Sequence, residues 1–370
     1  MLGDLTPSEF LREYWQKKPL LIRGAFPGFK GLLDREELIG LSCLDGAQSR
    51  IVTFEKGKWS LRDGPFRKKD FAKLPERWTL LVQGINHFLK DGGKLLSNFD
   101  FIPHARLDDL MVSYAPDGCG VGPHFDSYDV FLLQGLGSRR WQISSNCEMA
   151  LVPDAPLRIL KHFEPEAEWV LEPGDMLYLP PKYAHNGIAV GESMTYSIGF
   201  RAPSYQELAT QFLIHLQDNL EIPGMYQDPD LEIQDHPAEI GKKMIGKVKK
   251  AIDAITWKEE DIEHFLGIYL SEPKPHLFFD PPRRPLSKKR FLEEVEKEGV
   301  RLDLRSQLLF AMDHLYVNGE MIPFSNLDRS LLKDLADRRF VESVETDEET
   351  SSLLYRWYSE GYVCIGGNHD

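Results

Sequence analysis

The sequence predicts a mixed α and β protein: an all-β core over about residues 108 to 202, helices after it, and a small α+β unit at the end. Three observations carry this. DDLMVSYAP, YDVFLLQGLG, RRWQISS, EWVLEPGDMLYLP and MTYSIGFRAP are short strand-like runs separated by Gly, Pro and Asp, a spacing expected of a sandwich or barrel. A double-sheet jelly roll is one such solution that controls exposed edges. After Pro203 the apolar period changes from two to helical. The last portion, about 286 to 370, mixes helical and strand patterns.

Taken in order, TPSEFLREYWQ places Thr6 three residues before Glu9, a capping-box spacing, with Phe10, Leu11 and Trp15 at helical intervals. KPLLIRGAF reads as a short buried strand. SRIVTFEKGKWSLRDGPF reads as a hairpin turning at Lys56-Gly57. Beyond the β region, SYQELATQFLIHLQDNL is an amphipathic helix, with Leu208, Phe212 and His215 on related turns. A Pro/Asp-rich link precedes two more helices, in AEIGKKMIGKVKKAIDAITW and KEEDIEHFLGIYL. The proline-rich KPHLFFDPPRRPLS is a linker. SKKRFLEEVEKEG and NLDRSLLKDLADRR are helices, LLFAMDHLYVNGEMIPF holds strands around Asn318-Gly319, and LLYRWYSEGYVCIG ends the chain. Helices with a terminal hairpin suggest a winged-helix module. No internal repeat or low-complexity tract is present.

The chain's 370 residues exceed one ordinary domain, so two or three are expected. Four cysteines, Cys43, Cys119, Cys147 and Cys364, are scattered without a CxxC, which fits a reduced intracellular protein rather than a disulfide framework. The N-terminus has no basic segment before an apolar one, and no apolar run is long enough to cross a bilayer. A cytoplasmic protein is expected. The net charge of -14, from 58 acidic and 44 basic side chains, disfavours direct nucleic-acid binding. It suits a basic protein partner, although acidity for solubility explains it equally simply.

The chemistry concentrates in VGPHFDSYDV and EPGDMLYLPPKYAHNG. On a strand His124 and Asp126 point to one side, and Phe125 to the other. The preceding Gly118, Gly120, Gly122 and Pro123 make a loop of little bulk. A tight turn at Pro173-Gly174-Asp175, a strand and a Pro-Pro turn then lead to His185, which a closed double sheet can return across from the H-x-D strand. Two imidazoles and one carboxylate suit a metal with open positions, the pattern of non-haem Fe(II) oxygenases. Asn186 is a candidate partner for a ligating imidazole. Ser113 and Ser197 are candidate hydroxyl partners of a co-substrate, with a locally satisfied hydroxyl as the alternative. Asp117, in APDGCGVG, either accepts a substrate guanidinium or forms an ordinary Asp-Gly turn. Cys119 near iron is expected to be exposed and oxidation-prone. His104, His162, His215 and His236 lack partners at useful spacing; His215 reads as a core or interface histidine.

VGPHFDSYDVFLLQGLGSRRW and EPGDMLYLPPKYAHNG together resemble the cupin-type JmjC oxygenases, and within them the bacterial branch of the ribosomal oxygenases. The resemblance covers nearly the whole chain. It implies a double-stranded β-helix catalytic domain with an N-terminal α/β extension over residues 1–203. It further implies a helical dimerisation region over 204–272 and a winged-helix-like domain over 286–370. It implies Fe(II) held by His124, Asp126 and His185, and 2-oxoglutarate anchored by Arg139, whose guanidinium suits a carboxylate. Arg140 would point the opposite way, and Trp141 shares the Arg139 face or packs nearby. The implied reaction is hydroxylation at Cβ of an arginine in a basic protein of the large ribosomal subunit, by a homodimer.

Three rival readings stand beside it. One keeps the scaffold but acts as a histidyl hydroxylase or lysine demethylase. Another is a non-catalytic cupin used for binding or regulation. The third, a Zn or Mn cupin isomerase, needs a further His or Glu ligand that the sequence does not offer.

Overall fold

A computed structural model of the chain describes residues 1–146 and 150–366; Cys147 lies outside them. Two compact units emerge. The first comprises residues 1–203, 273–307 and 326–370, and the second residues 204–272 and 308–325.

In the first unit twelve strands precede the first long helix: β1 (Leu20–Ile22), β2 (Ser49–Glu55), β3 (Lys58–Asp63), β4 (Trp78–Val82), β5 (Leu107–Ala115), β6 (His124–Phe125), β7 (Asp129–Gln134), β8 (Ser138–Ser144), β9 (Ala167–Leu171), β10 (Met176–Leu179), β11 (Ala184–Val190) and β12 (Ser193–Phe200). An eight-stranded sheet runs β1-β10-β7-β12-β5-β4-β2-β3, and a four-stranded sheet runs β6-β11-β8-β9. The neighbouring strands of these two sheets pair antiparallel.

The two-residue period decides how the sheets close. Along β7, Phe131 and Leu133 face one core with Phe10, Phe99 and Tyr178, under the N-terminal segment. The alternating Val130 and Leu132 face the other way and pack with Trp141 and Ile143 of the four-stranded sheet. The inner faces of the two sheets therefore meet, which makes the jelly roll. β12, between β5 and β7, is buried along its whole length.

The N-terminal expectations have physical counterparts. Thr6 and Glu9 form the capping box of the helix Pro7–Glu13. β2 and β3 form the hairpin, with Lys56 and Gly57 both at positive φ, as a tight two-residue turn requires.

The same unit carries β13 (Val300–Leu302), flanked by β17 (Phe340–Val341) and β18 (Val363–Ile365). A terminal hairpin is not what forms there. Asp347 caps a helix over Glu348–Glu360, whose Leu354 and Trp357 are buried, and β18 then returns to pair with β13. An apolar helical face, rather than a strand pattern, dominates LLYRWYSEG.

The second unit contains helices Tyr205–Asn219, Lys242–Ile252 and Glu259–Ser271, with an antiparallel sheet of β14 (Leu308–Ala311), β15 (His314–Val317) and β16 (Glu320–Pro323). Gly267 lies against the Tyr316 ring, leaving no room for a side chain there. Phe212 meets Trp257 and Phe265 edge-on, and His215 lies 5.9 Å from the Phe265 ring. No described helix in the chain is long and apolar enough to cross a membrane.

Candidate metal centre

β6 and β11 pair so that His124 and His185 are directly opposite one another. Opposed residues on neighbouring strands share a face, and the two ring centroids lie 4.3 Å apart. Asp126 follows two positions after His124, and its Oδ2 is 3.6 Å from His185 Nε2. One ligand atom from each of the three lies within 4.8 Å of the others, the only such cluster among the described residues.

Each imidazole is oriented by its own chain. His124 Nδ1 donates to the Gly122 carbonyl at 2.9 Å, and His185 Nδ1 to the Tyr183 carbonyl at 3.0 Å. A carbonyl only accepts, so Nδ1 carries the proton and Nε2 keeps its lone pair for the centre. Burial, and next the neighbouring His124, push the His185 pKa down to about 4, so its ring is neutral and fit to ligate. Two imidazole nitrogens and one carboxylate oxygen fit Fe(II) with positions left open. Asn186 plays no part in this orientation: its amide donates to Gln142 Oε1 at 3.0 Å, because Asn186 alternates to the face opposite His185.

On β8, Arg139, Trp141 and Ile143 lie opposite Ala189, Gly187 and His185 of β11. Arg139 therefore faces the interior that holds the triad. It is 2% exposed. Its Nη1 donates to Ser113 Oγ at 3.3 Å and its Nη2 to the Gly187 carbonyl at 3.2 Å, while Nε has no partner. No carboxylate pairs with it among the described residues, and burial pulls its pKa down to about 10. A buried cation without a counter-charge is costly, and an anionic ligand removes that cost. Arg140 points outward, with Nε 3.9 Å from Glu168 Oε1.

Ser113 is thus placed on the Arg139 guanidinium. Ser197 is buried opposite Leu132 and Met111, on the inner face of the eight-stranded sheet. Asp117 is exposed, and its Oδ1 accepts from the Gly191 amide at 2.7 Å. Cys119 differs from expectation. It is 2% exposed, with Sγ turned toward the Asp117 and Glu76 carbonyls, and burial raises its thiol pKa. The glycine loop folds inward there rather than presenting the thiol. His104 pairs with Asp100 at 3.0 Å, far from any ligand role.

Residues 94–208 match the JmjC domain model, and residues 254–363 match a ROXA-like winged helix. The ribosomal protein uL16 3-hydroxylase of Escherichia coli is 34% identical over 316 residues, covering 85% of this chain and 84% of that protein. The chain belongs to the JmjC-type ribosomal oxygenases. A probable ribosomal oxygenase of Haemophilus influenzae is 33% identical, with 98% of this chain covered and 96% of the relative. Among solved structures, E. coli YcfD superposes with a TM-score of 0.83 at 31% identity, covering 98% of this chain and 99% of that one. YcfD has also been solved in complex with cobalt and 2-oxoglutarate, and that structure likewise superposes with a TM-score of 0.83.

In this ribosomal oxygenase, the residues that sequence reasoning missed are mostly backbone or small. The Gly122 and Tyr183 carbonyls carry no signal of their own in a sequence. Gly187 does so weakly: a Cβ there would stand 2.7 Å from Arg139 Nε and 2.6 Å from Trp141 Cζ3. That glycine lets the Arg139 guanidinium lie 5.1 Å over the Trp141 ring. Tyr128, two positions after Asp126, has its phenol pKa raised by burial and next by the Asp126 carboxylate, so it stays protonated.

Proposed function

We propose that this chain is an Fe(II)- and 2-oxoglutarate-dependent dioxygenase that hydroxylates Cβ of an arginine in a large-subunit ribosomal protein. The observation that carries this reading is the buried, carboxylate-free guanidinium of Arg139, inside the same double sheet as the His-Asp-His cluster. His124, Asp126 and His185 hold the metal. Arg139, with Ser113 beside it, takes the distal carboxylate of 2-oxoglutarate through charge-assisted bonds. Ser197 offers a hydroxyl to the same co-substrate. Iron with 2-oxoglutarate supplies the oxidative decarboxylation that puts one oxygen atom of O2 into succinate and the other onto the substrate carbon. The chain's own work is to place the groups and exclude water: Trp141, Ile143, Val130 and Leu132 form a dry wall. Asp117 sits at the far end of β11 from His185, about 20 Å along the strand, which favours the Asp-Gly turn over a contact with the substrate guanidinium.

The uL16 activity named for the E. coli relative supports uL16 as the substrate, and the acidic charge of this chain favours encounter with a basic protein. We assign residues 1–203 to catalysis, 204–272 to dimerisation and 286–370 to a winged-helix-like domain, in a cytoplasmic homodimer. Support for dimerisation comes from helix Lys242–Ile252, which buries no residue and leaves Met244, Ile245, Val248 and Ile252 exposed. Direct nucleic-acid binding is not part of the proposal.

The test incubates the full chain with Fe(II), 2-oxoglutarate, O2 and uL16. One oxygen gained on an arginine, with matching succinate, is expected. An oxygen on histidine, or a methyl lost from lysine, would replace the substrate assignment. No succinate formed with any substrate tested, and no 2-oxoglutarate bound, would sink the reading in favour of a binding protein.

A further inference from the structure

The strand that carries His124 has little to hold it. β6 is two residues long and lies at the edge of its sheet, paired only with β11. Short edge strands keep few ladder bonds, yet the Gly122 carbonyl just before it must point steadily at His124 Nδ1. Gly122 sits at φ +82°, a region that favours glycine. Its free side is closed by two side chains from elsewhere in the first unit. A Cβ built there would stand 2.8 Å from Trp59 Cζ2 and 3.2 Å from Ile159 Cδ1.

Both side chains are themselves braced. Trp59, on β3 of the N-terminal hairpin, has its ring centroid 4.6 Å from that of Phe54, and Arg77 lies 4.9 Å over the Phe54 ring. Ile159 is 4% exposed. Its neighbours tie the same stretch of chain down: the Leu160 amide donates to the Pro123 carbonyl at 2.8 Å, and Arg158 lies 4.8 Å over the Phe125 ring.

We propose that Trp59 is a positioning residue for the metal ligand His124. Together with Ile159 it presses on Gly122 and so fixes the carbonyl that orients the imidazole. The N-terminal hairpin thereby becomes part of the metal centre without touching the metal. Groups that orient a ligating histidine typically change metal affinity when removed. The inference rests on the reading that the triad binds iron.

The experiment measures Fe(II) affinity of the full chain with saturating 2-oxoglutarate, without oxygen, from the charge-transfer absorption of the complex. Trp59→Ala is expected to weaken Fe(II) binding by about tenfold or more, with Trp59→Phe restoring most of it. Ile159→Val, which removes the methyl nearest Gly122, gives a smaller loss in the same direction and serves if Trp59→Ala does not fold. No complex with the unsubstituted chain would defeat the metal reading itself. Unsubstituted affinity in Trp59→Ala and in Ile159→Val would overturn only this inference. So would unchanged metal affinity with a raised KM for the protein substrate, which would make Trp59 a substrate contact.

Discussion

His185 Nε2 stands 3.6 Å from Asp126 Oδ2, with both imidazole Nδ1 atoms turned away onto carbonyls. The carboxylate is therefore the one anionic ligand in the cluster. Asp126→Ala should abolish turnover, and Fe(II) binding should fall with it. Because Asp126 lies at the sheet edge rather than in a core cluster, the melting temperature of the metal-free chain should change little. Succinate release and thermal melting check the two halves. Unchanged hydroxylation would remove Asp126 from the metal.

Arg139 and Arg140 separate by face. Arg139→Ala should raise the KM for 2-oxoglutarate by at least about tenfold, since hydrogen bonds to charged groups contribute about 1.5–3 kcal/mol each. Arg140→Ala, removing only an exposed side chain 3.9 Å from Glu168, should leave it within about twofold, because such exposed pairs contribute about 0–1 kcal/mol. An unchanged KM in Arg139→Ala would assign the anchor elsewhere.

Gly187→Ala adds a methyl where Arg139 Nε and Trp141 leave no space. Overpacking of this kind costs about 1–3 kcal/mol. The substituted chain should melt earlier, and its KM for 2-oxoglutarate should rise while its Fe(II) affinity changes less. Chemical denaturation and steady-state kinetics read these separately.

His87 sets an acid limb of stability. Burial is the main reason its pKa falls to about 4, outweighing the bond to the Leu304 carbonyl at 3.3 Å; Lys274, Arg339 and His276 lower it further. Below its ordinary value near 6.5 the unfolded chain takes up a proton that the folded chain refuses. The stabilisation is full above that pH and declines as pH falls toward about 4. His87→Asn should shrink the difference between melting temperatures measured at about pH 7.5 and about pH 5. A difference as large as in the unsubstituted chain would place the acid sensitivity in other groups.

Cys119 should resist thiol reagents in the folded state. Its burial and raised pKa both lower the thiolate that reacts. Labelling should be slow until denaturant is added, and mass spectrometry of the labelled peptide checks this. Rapid labelling under native conditions would mean that the glycine loop opens.

Much of the fold was legible because local patterns and tertiary outcome agree. The period-two alternation of YDVFLLQ already separates Phe131 and Leu133 from Val130 and Leu132, and the structure sends those pairs to different cores. Thr6 with Glu9, and Lys56 with Gly57, mark a helix start and a hairpin turn by chemistry confined to a few residues. Legibility failed where burial outside the local pattern decides. LLYRWYSEG became a helix, because the face bearing Leu354 and Trp357 is buried.

From the sequence alone came a core of short β-strands, the residue types able to ligate a metal, and the opposite facing of Arg139 and Arg140, since strand alternation needs no knowledge of the partner strand. Tertiary structure alone decided that His185 returns opposite His124, that Arg139 is buried with no carboxylate beside it among the described residues, and that carbonyls rather than Asn186 orient the imidazoles. Those facts depend on strand register and on backbone groups. Every residue carries the same backbone groups, so only the folded chain distinguishes the carbonyl that meets a ligand.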